Sequence, residues 1–173
     1  TVKRRVPVIA GTGSNATDEA IEFTRHAQSA GADAALLISP YYNKPTQEGL
    51  YRHHKAIAEA VDIPQILYNI PGRTAVNMAP ATVARLAKVK NIVGIKEGAG
   101  SLQQVSEIVQ ACGDQFTVLA GDDALTLPMM AVGATGVITV TANVAPADMA
   151  AMVDAWEAGN VARARALRET CPR

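Results

Sequence analysis

The sequence predicts an α/β fold, a parallel (β/α)8 TIM barrel of which this chain holds about six strand-helix units. Three observations predict it. Short apolar runs recur six times in 173 residues, amphipathic segments fill the intervals, and reactive side chains sit at the ends of the runs. A parallel return needs a crossover of a dozen or more residues, so this alternation implies a parallel sheet. A doubly wound sheet is disfavoured, because Gly11-Thr12-Gly13-Ser14 lacks both the third glycine of a dinucleotide fingerprint and a Walker lysine. A complete barrel normally takes about 250 residues and at least about 200. Residues 1–173 therefore correspond to strands three to eight plus the start of a helical C-terminal region, with the two N-terminal units missing.

The predicted strands are Val6 to Ala10, Ala34 to Ile38, Gln65 to Asn69, Ile92 to Lys96, Thr117 to Ala120 and Gly136 to Val140. Between them, Asp18 to Ser29 carries Ile21, Phe23 and Ala27 at helical spacing, Gln47 to Ala60 carries Leu50, Ile57 and Ala58, and Ala81 to Ala87 carries Val83 and Leu86. Helix starts are signalled by Thr17-Asp18-Glu19, Pro80 and Ser101, and stops by Gly31, Gly113, Gly133 and Gly159. A last helix is expected over Ala162 to Glu169, ending at Cys171-Pro172-Arg173. The chain opens on Thr1 without an initiator Met or a signal-peptide pattern, which reads as a fragment of a longer protein.

Composition removes several function classes. With 49% hydrophobic and 18% charged residues the chain is ordered rather than disordered. Sixteen basic residues balance sixteen acidic ones without a long single-sign block, so no nucleic acid or anionic membrane partner is expected. Apolar runs such as Ala34 to Ile38 fall far short of the roughly 18 residues of a membrane span. Cys112 and Cys171 lack metal spacing, which points to a reduced cytoplasmic setting. His53 and His54 are adjacent and His26 stands alone, so no zinc site or triad forms, and they read as surface or packing residues.

In a parallel barrel the active site gathers at the carboxyl ends of the strands. Here those ends carry Tyr68-Asn69-Ile70-Pro71-Gly72-Arg73, Lys96-Glu97-Gly98, Gly121-Asp122-Asp123 and Thr139-Val140-Thr141. Tyr68 and Lys96 are expected to be neighbours. A free lysine is the neutral nucleophile in only ~1 of 2,500 molecules at pH 7, and burial in an apolar interior raises that fraction. A neutral Lys96 amine adds to a ketone, loses water and forms a protonated Schiff base, which lets a neighbouring C–H leave as an enamine. Tyr68 is placed to shuttle protons and Arg73 to hold a carboxylate in a bidentate fork. Strand alternation points Glu97 away from the face of Lys96, toward a structural role. Asp122 and Asp123 read as helix N-terminal caps rather than a metal pair.

Gly11 to Thr17, Pro40-Tyr41-Tyr42-Asn43-Lys44-Pro45, Tyr68 to Thr74, Gly94-Ile95-Lys96-Glu97 and Gly121-Asp122-Asp123, in this order and spacing, resemble the dihydrodipicolinate synthase family. This family, also called the 4-hydroxy-tetrahydrodipicolinate synthases, lies in the N-acetylneuraminate lyase superfamily. The resemblance runs over essentially the whole chain. It implies a lyase of lysine and diaminopimelate biosynthesis that condenses pyruvate with L-aspartate 4-semialdehyde through a Schiff base, without a cofactor or metal. Residue by residue it implies Lys96 as Schiff-base lysine, Tyr68 and Tyr42 as proton relay, with Tyr42 reaching into a neighbouring subunit's site. Arg73 is implied as carboxylate binder, and Gly121 and Ile138 as backbone lining of the substrate pocket. Asn15, Glu19 and Tyr41 match part of an allosteric L-lysine site, and the implied assembly is a tight dimer within a homotetramer.

Sialate lyases and sugar-acid aldolases of the superfamily share the lysine and the tyrosine but generally not Arg73-Thr74 after the Tyr-Asn-x-Pro run. A threonine dyad that the family carries in the upstream units has no counterpart here, since Thr139 and Thr141 belong to a later strand. Two other readings stand beside the synthase: another pyruvate-dependent class I aldolase of the superfamily, or a non-catalytic fragment lacking the dyad.

Overall fold

The computed structural model describes residues 2–170. Cys171 and the expected helix stop at 171–173 lie outside the described residues. Six strands form a single parallel sheet in sequence order: β1 (Ile9–Gly11), β2 (Ala34–Ile38), β3 (Gln65–Asn69), β4 (Ile92–Glu97), β5 (Thr117–Ala120) and β6 (Gly136–Val137). The sheet is curled into a half-barrel with helices on its outer face. In chain order these are α1 (Thr17–Ser29), α2 (Gln47–Ala60), the single-turn α3 (Pro71–Thr74), α4 (Pro80–Leu86), α5 (Leu102–Cys112), α6 (Thr126–Ala131), α7 (Pro146–Glu157) and α8 (Val161–Thr170).

Local chemistry explains most boundaries. Thr46 accepts a hydrogen bond from the Gly49 amide at 3.2 Å and starts α2, and Ser101 does the same for Gln104 at 3.2 Å and starts α5. Asp18 and Glu19 sit in the first turn of α1, where carboxylates complement the helix dipole. Alternate strand residues Leu37, Leu67, Ile95 and Val118 point outward under the helices and are fully or almost fully buried. Each such side chain contributes roughly 1.5–3 kcal/mol by leaving water. A second apolar cluster, Leu127, Met130, Met149, Met152, Ala164 and Leu167, ties α6, α7 and α8 together.

Three expectations are corrected and a fourth is narrowed. The first strand begins at Ile9 and not at Val6, because Pro7 has no amide hydrogen and the Val8 amide is taken by the Asp33 carboxylate at 2.7 Å. The last strand ends at Val137 and not at Val140, since the Val140 and Thr141 amides turn toward the Asp123 carboxylate at 3.3 and 2.8 Å. Only one of the two aspartates caps the turn that follows β5: Asp122 accepts from the Ala124 amide at 2.9 Å, while Asp123 reaches across to residues 140–141. The reading of His53 and His54 as surface or packing residues is narrowed to packing, since both are buried on α2.

Candidate active site

The reactive pair is assembled by strand register alone. Tyr68 and Lys96 are aligned partners on β3 and β4, and equal parity sends both side chains to the inner face. The Lys96 Nζ lies 4.1 Å from the centroid of the Tyr68 ring, close enough for a cation–π contact in its charged form. Lys96 is only 8% exposed. Burial pushes its ammonium below the ordinary lysine range, and the negative charge of Asp123 pulls the other way. Burial likewise raises the Tyr68 phenol above its ordinary value, opposed by the positive charge of Arg73. An amine easier to deprotonate therefore faces a phenol that keeps its proton near neutral pH, which is the state a nucleophile and a proton donor need.

Arg73 stands on α3, a turn that begins at Pro71 and closes at Ala75, whose φ of 59° is left-handed. The turn is held from within, because Thr74 is buried and its hydroxyl donates to the Ile70 and Val76 carbonyls at 3.1 and 3.0 Å. The Arg73 side chain itself is exposed at the rim. Gly121 follows β5, with its amide on the Glu97 carbonyl at 2.7 Å. A Cβ there would sit 3.0 Å from that carbonyl oxygen, so glycine suits the close approach of the two strand ends. The Ile138 amide continues the ladder to the Ala120 carbonyl at 3.0 Å.

The other expected residues lie apart from this pair. Tyr42 is 89% exposed, in a loop where it and Lys44 have φ of 72° and 47°. That loop is laced to the segment before α1: Asn15 Nδ2 donates to the Tyr41 carbonyl and to Asn43 Oδ1, both at 3.3 Å, and Asn43 Nδ2 donates to the Asn15 carbonyl at 2.8 Å. Glu19 accepts from the Ser14 hydroxyl next to Asn15. Asn15, Glu19 and Tyr41 thus share one rim of the molecule.

Two features of the site go beyond the roles the sequence assigns. Asp123 accepts from the Thr141 hydroxyl at 2.7 Å as well as from the two amides, and also from the Thr139 hydroxyl. Burial alone would raise this carboxyl, but the bonds from Thr141, Thr139 and Val140 hold it below the usual range, so it is an anion facing Lys96. It also lines a cavity of about 490 Å³ with Gly121, Val140, Thr141, Met149 and Arg168. The second is a set of amides around the buried Glu97, behind the reactive pair. Among the described residues no group of three or more His, Cys, Asp or Glu side chains could hold a metal ion, and no helix is long and apolar enough to cross a membrane.

Comparison with known proteins extends this picture. The dihydrodipicolinate synthetase family matches residues 1–173. A 4-hydroxy-tetrahydrodipicolinate synthase from Geotalea uraniireducens is 66% identical over 164 residues, which are 95% of this chain and 57% of that protein. Among solved structures, dihydrodipicolinate synthase from Aquifex aeolicus superposes with a TM-score of 0.95 at 51% identity, over 97% of this chain and 58% of that one. The chloride-inhibited enzyme from Acinetobacter baumannii, complexed with pyruvate, gives 0.94 at 49% identity over 97% and 58%. A lysine-bound enzyme from Cyanidioschyzon merolae gives 0.90 at 43% over 94% and 55%. The chain therefore spans little more than half the length of these relatives.

Proposed function

Since the chain belongs to the dihydrodipicolinate synthetase family, we propose that the whole protein is a 4-hydroxy-tetrahydrodipicolinate synthase, a lyase that joins pyruvate to L-aspartate 4-semialdehyde. The buried Lys96 amine, 4.1 Å from the Tyr68 ring centroid, is the observation that carries this reading. Neutral Lys96 attacks the ketone carbon of pyruvate. The carbinolamine loses its hydroxyl as water, with Tyr68 supplying the proton, and leaves a protonated imine on Nζ. The Tyr68 phenolate left by that step takes a proton from the methyl group, giving the enamine, whose carbon adds to the aldehyde of the second substrate, and Tyr68 returns the proton to the alkoxide that forms.

Other roles follow from placement. Arg73, exposed at the rim and electrostatically coupled to the Tyr68 phenol, suits a fork for the carboxylate of aspartate semialdehyde. The peptide groups of Gly121 and Ile138, at the ends of β5 and β6, line the pyruvate pocket. Tyr42 is almost bare, which fits a side chain covered by a second copy of this protein and joining that copy's proton relay. Asn15, Glu19 and Tyr41 form the chain's share of an L-lysine regulatory site at the same interface. The cytoplasm supplies the substrates.

Acceptor choice tests the substrate assignment. With pyruvate present, the full-length protein should consume aspartate semialdehyde at least a hundredfold faster than N-acetylmannosamine. The opposite preference would place it among the other pyruvate aldolases. Sedimentation should give a dimer or tetramer that weakens on Tyr42→Arg substitution, and a monomer would remove Tyr42 from the relay.

A further inference from the structure

Each reactive residue is followed in sequence by a polar residue that faces the opposite side of the sheet. Asn69 follows Tyr68, Glu97 follows Lys96, and Asn69 and Glu97 are themselves register partners. Both are buried, Glu97 to 1% exposure. The Asn69 Nδ2 donates to Glu97 Oε1 and Oε2 at 3.2 and 3.0 Å and to Asn77 Oδ1 at 2.8 Å. From α5, Gln104 Nε2 donates to Glu97 Oε2 and to Asn77 Oδ1, both at 3.1 Å, and Asn77 Nδ2 donates back to Gln104 Oε1 at 2.9 Å. The Ala99 amide donates to Glu97 Oε1 at 2.6 Å.

The direction of every bond is fixed. Side-chain amides can turn over, but backbone amides cannot, and two of them anchor this network. The Met78 amide donates to Asn69 Oδ1 at 2.9 Å, so Asn69 must present its NH2 to Glu97. All the neighbours of the Glu97 carboxyl are donors, and no lysine or arginine pairs with it among the described residues. Burial raises this carboxyl above the ordinary glutamate value, while the Asn69, Ala99 and Gln104 bonds favour its charged form. A buried charge held only by amides is costly to keep and specific in geometry.

We infer that the Asn69–Glu97–Asn77–Gln104 network is the positioning element of the reactive pair. It locks the carboxyl ends of β3 and β4 together one residue beyond Tyr68 and Lys96, and so fixes the phenol–amine distance through the backbone. The assignment of a reaction to that pair rests on the synthase reading above, whereas the positioning itself is a statement about geometry. Glu97 is therefore a positioning residue and not a catalytic one.

The fixed bond directions supply a rescue. In Glu97→Gln, the introduced NH2 meets the NH2 groups of Asn69 and Gln104. Gln104 and Asn77 can turn over together, but Asn69 is pinned by Met78, so at least one donor still faces a donor. Adding Asn69→Asp reverses the polarity of the whole set. The carboxylate then at position 69 accepts from the Met78 amide, from the side-chain amide then at position 97 and from a turned Asn77, and every partner is satisfied again. The measurements are made on the full-length protein as wild type, Glu97→Gln, and Asn69→Asp with Glu97→Gln. The first readout is the NMR shift of the Lys96 ε-methylene protons, displaced upfield by the Tyr68 ring current, which needs no substrate. The second is the rate of borohydride-trapped pyruvyl adduct on Lys96.

Glu97→Gln should lose the upfield shift and slow adduct formation roughly ten- to a hundredfold, as a displacement of about 1 Å does in a preorganised site. The fall should appear in kcat more than in KM. The double variant should recover both readouts to within about threefold of wild type. A Glu97→Gln protein with unchanged shift and rate, or a double variant no better than the single one, overturns the inference. Should Glu97→Gln fail to fold, the double variant decides alone, by regaining or not regaining the wild-type shift. A wild type that shows the shift but takes no pyruvate removes the synthase reading and leaves the positioning element standing.

Discussion

The buried histidine pair on α2 makes the fold sensitive to mild acid. His54 is completely buried, and neither of its ring nitrogens has a hydrogen-bond partner among the described residues. His53 is buried beside it and bonds through Nδ1 to the Thr17 hydroxyl at 2.9 Å. Burial lowers His53 from the ordinary 6.5 to about 4, and burial together with the neighbouring His53 lowers His54 to about 3. Depressed values mean that the unfolded chain binds these protons first. Stability is therefore complete above about pH 6.5 and is lost as pH falls toward the folded values. At pH 5 each histidine has cost ~2 kcal/mol at 1.36 kcal/mol per unit, or ~4 kcal/mol for the pair. Glu97 works in the opposite sense, because its raised value favours the folded state as pH falls toward the ordinary glutamate range. Urea unfolding of the full-length protein at pH 7, 6 and 5 measures the net effect. A His54→Phe variant, aromatic and without a titrating group, should lose about half as much stability over this range. Equal stability of the wild type at pH 7 and pH 5, or an unchanged pH slope in His54→Phe, would refute the reasoning.

Three further outcomes are expected. Tyr68→Phe should melt within a few degrees of wild type yet lose ~10²–10⁴-fold in kcat, because the proton relay is removed and the ring packing kept. Gly94→Ala should destabilise the fold by ~1–3 kcal/mol in urea titrations, since its Cβ would stand 2.5 Å from the Thr117 carbonyl oxygen across the ladder; an unchanged midpoint would contradict the close approach. Asp123→Asn should cost ~1.5–3 kcal/mol by weakening the charge-assisted bonds to residues 139–141. It should also move the acid limb of adduct formation to lower pH, because Lys96 loses the anion that favours its ammonium form.

Most of the sheet was legible because its strands are apolar runs between clear breakers. Ala34–Ile38, Gln65–Asn69 and Thr117–Ala120 begin and end where the sequence predicts. The two ends misplaced by three residues share a cause: a carboxylate from a distant segment claims a backbone amide that the ladder would otherwise use, Asp33 at Val8 and Asp123 at Val140 and Thr141. Such captures join residues 17 to 25 positions apart and leave no periodic trace. For the network behind the pair, strand parity already points Glu97 away from Lys96 toward a structural role, but its partners Asn69, Asn77 and Gln104 cannot be identified until β3, β4 and α5 are brought together. The Tyr68–Lys96 contact was legible because it needs only register and parity on adjacent strands. The choice between surface and packing for His53 and His54 was not, since α2 is helical whether they face solvent or the interior.

The central claim is that Lys96 is an amine nucleophile toward pyruvate. Incubating the full-length protein with pyruvate, reducing with borohydride and mapping the peptides by mass spectrometry tests it directly. The expected result is a single reduced pyruvyl adduct on Lys96, absent from Lys96→Ala and slowed in Tyr68→Phe. A folded, full-length protein that gives no adduct, or an adduct on another lysine, would contradict the account.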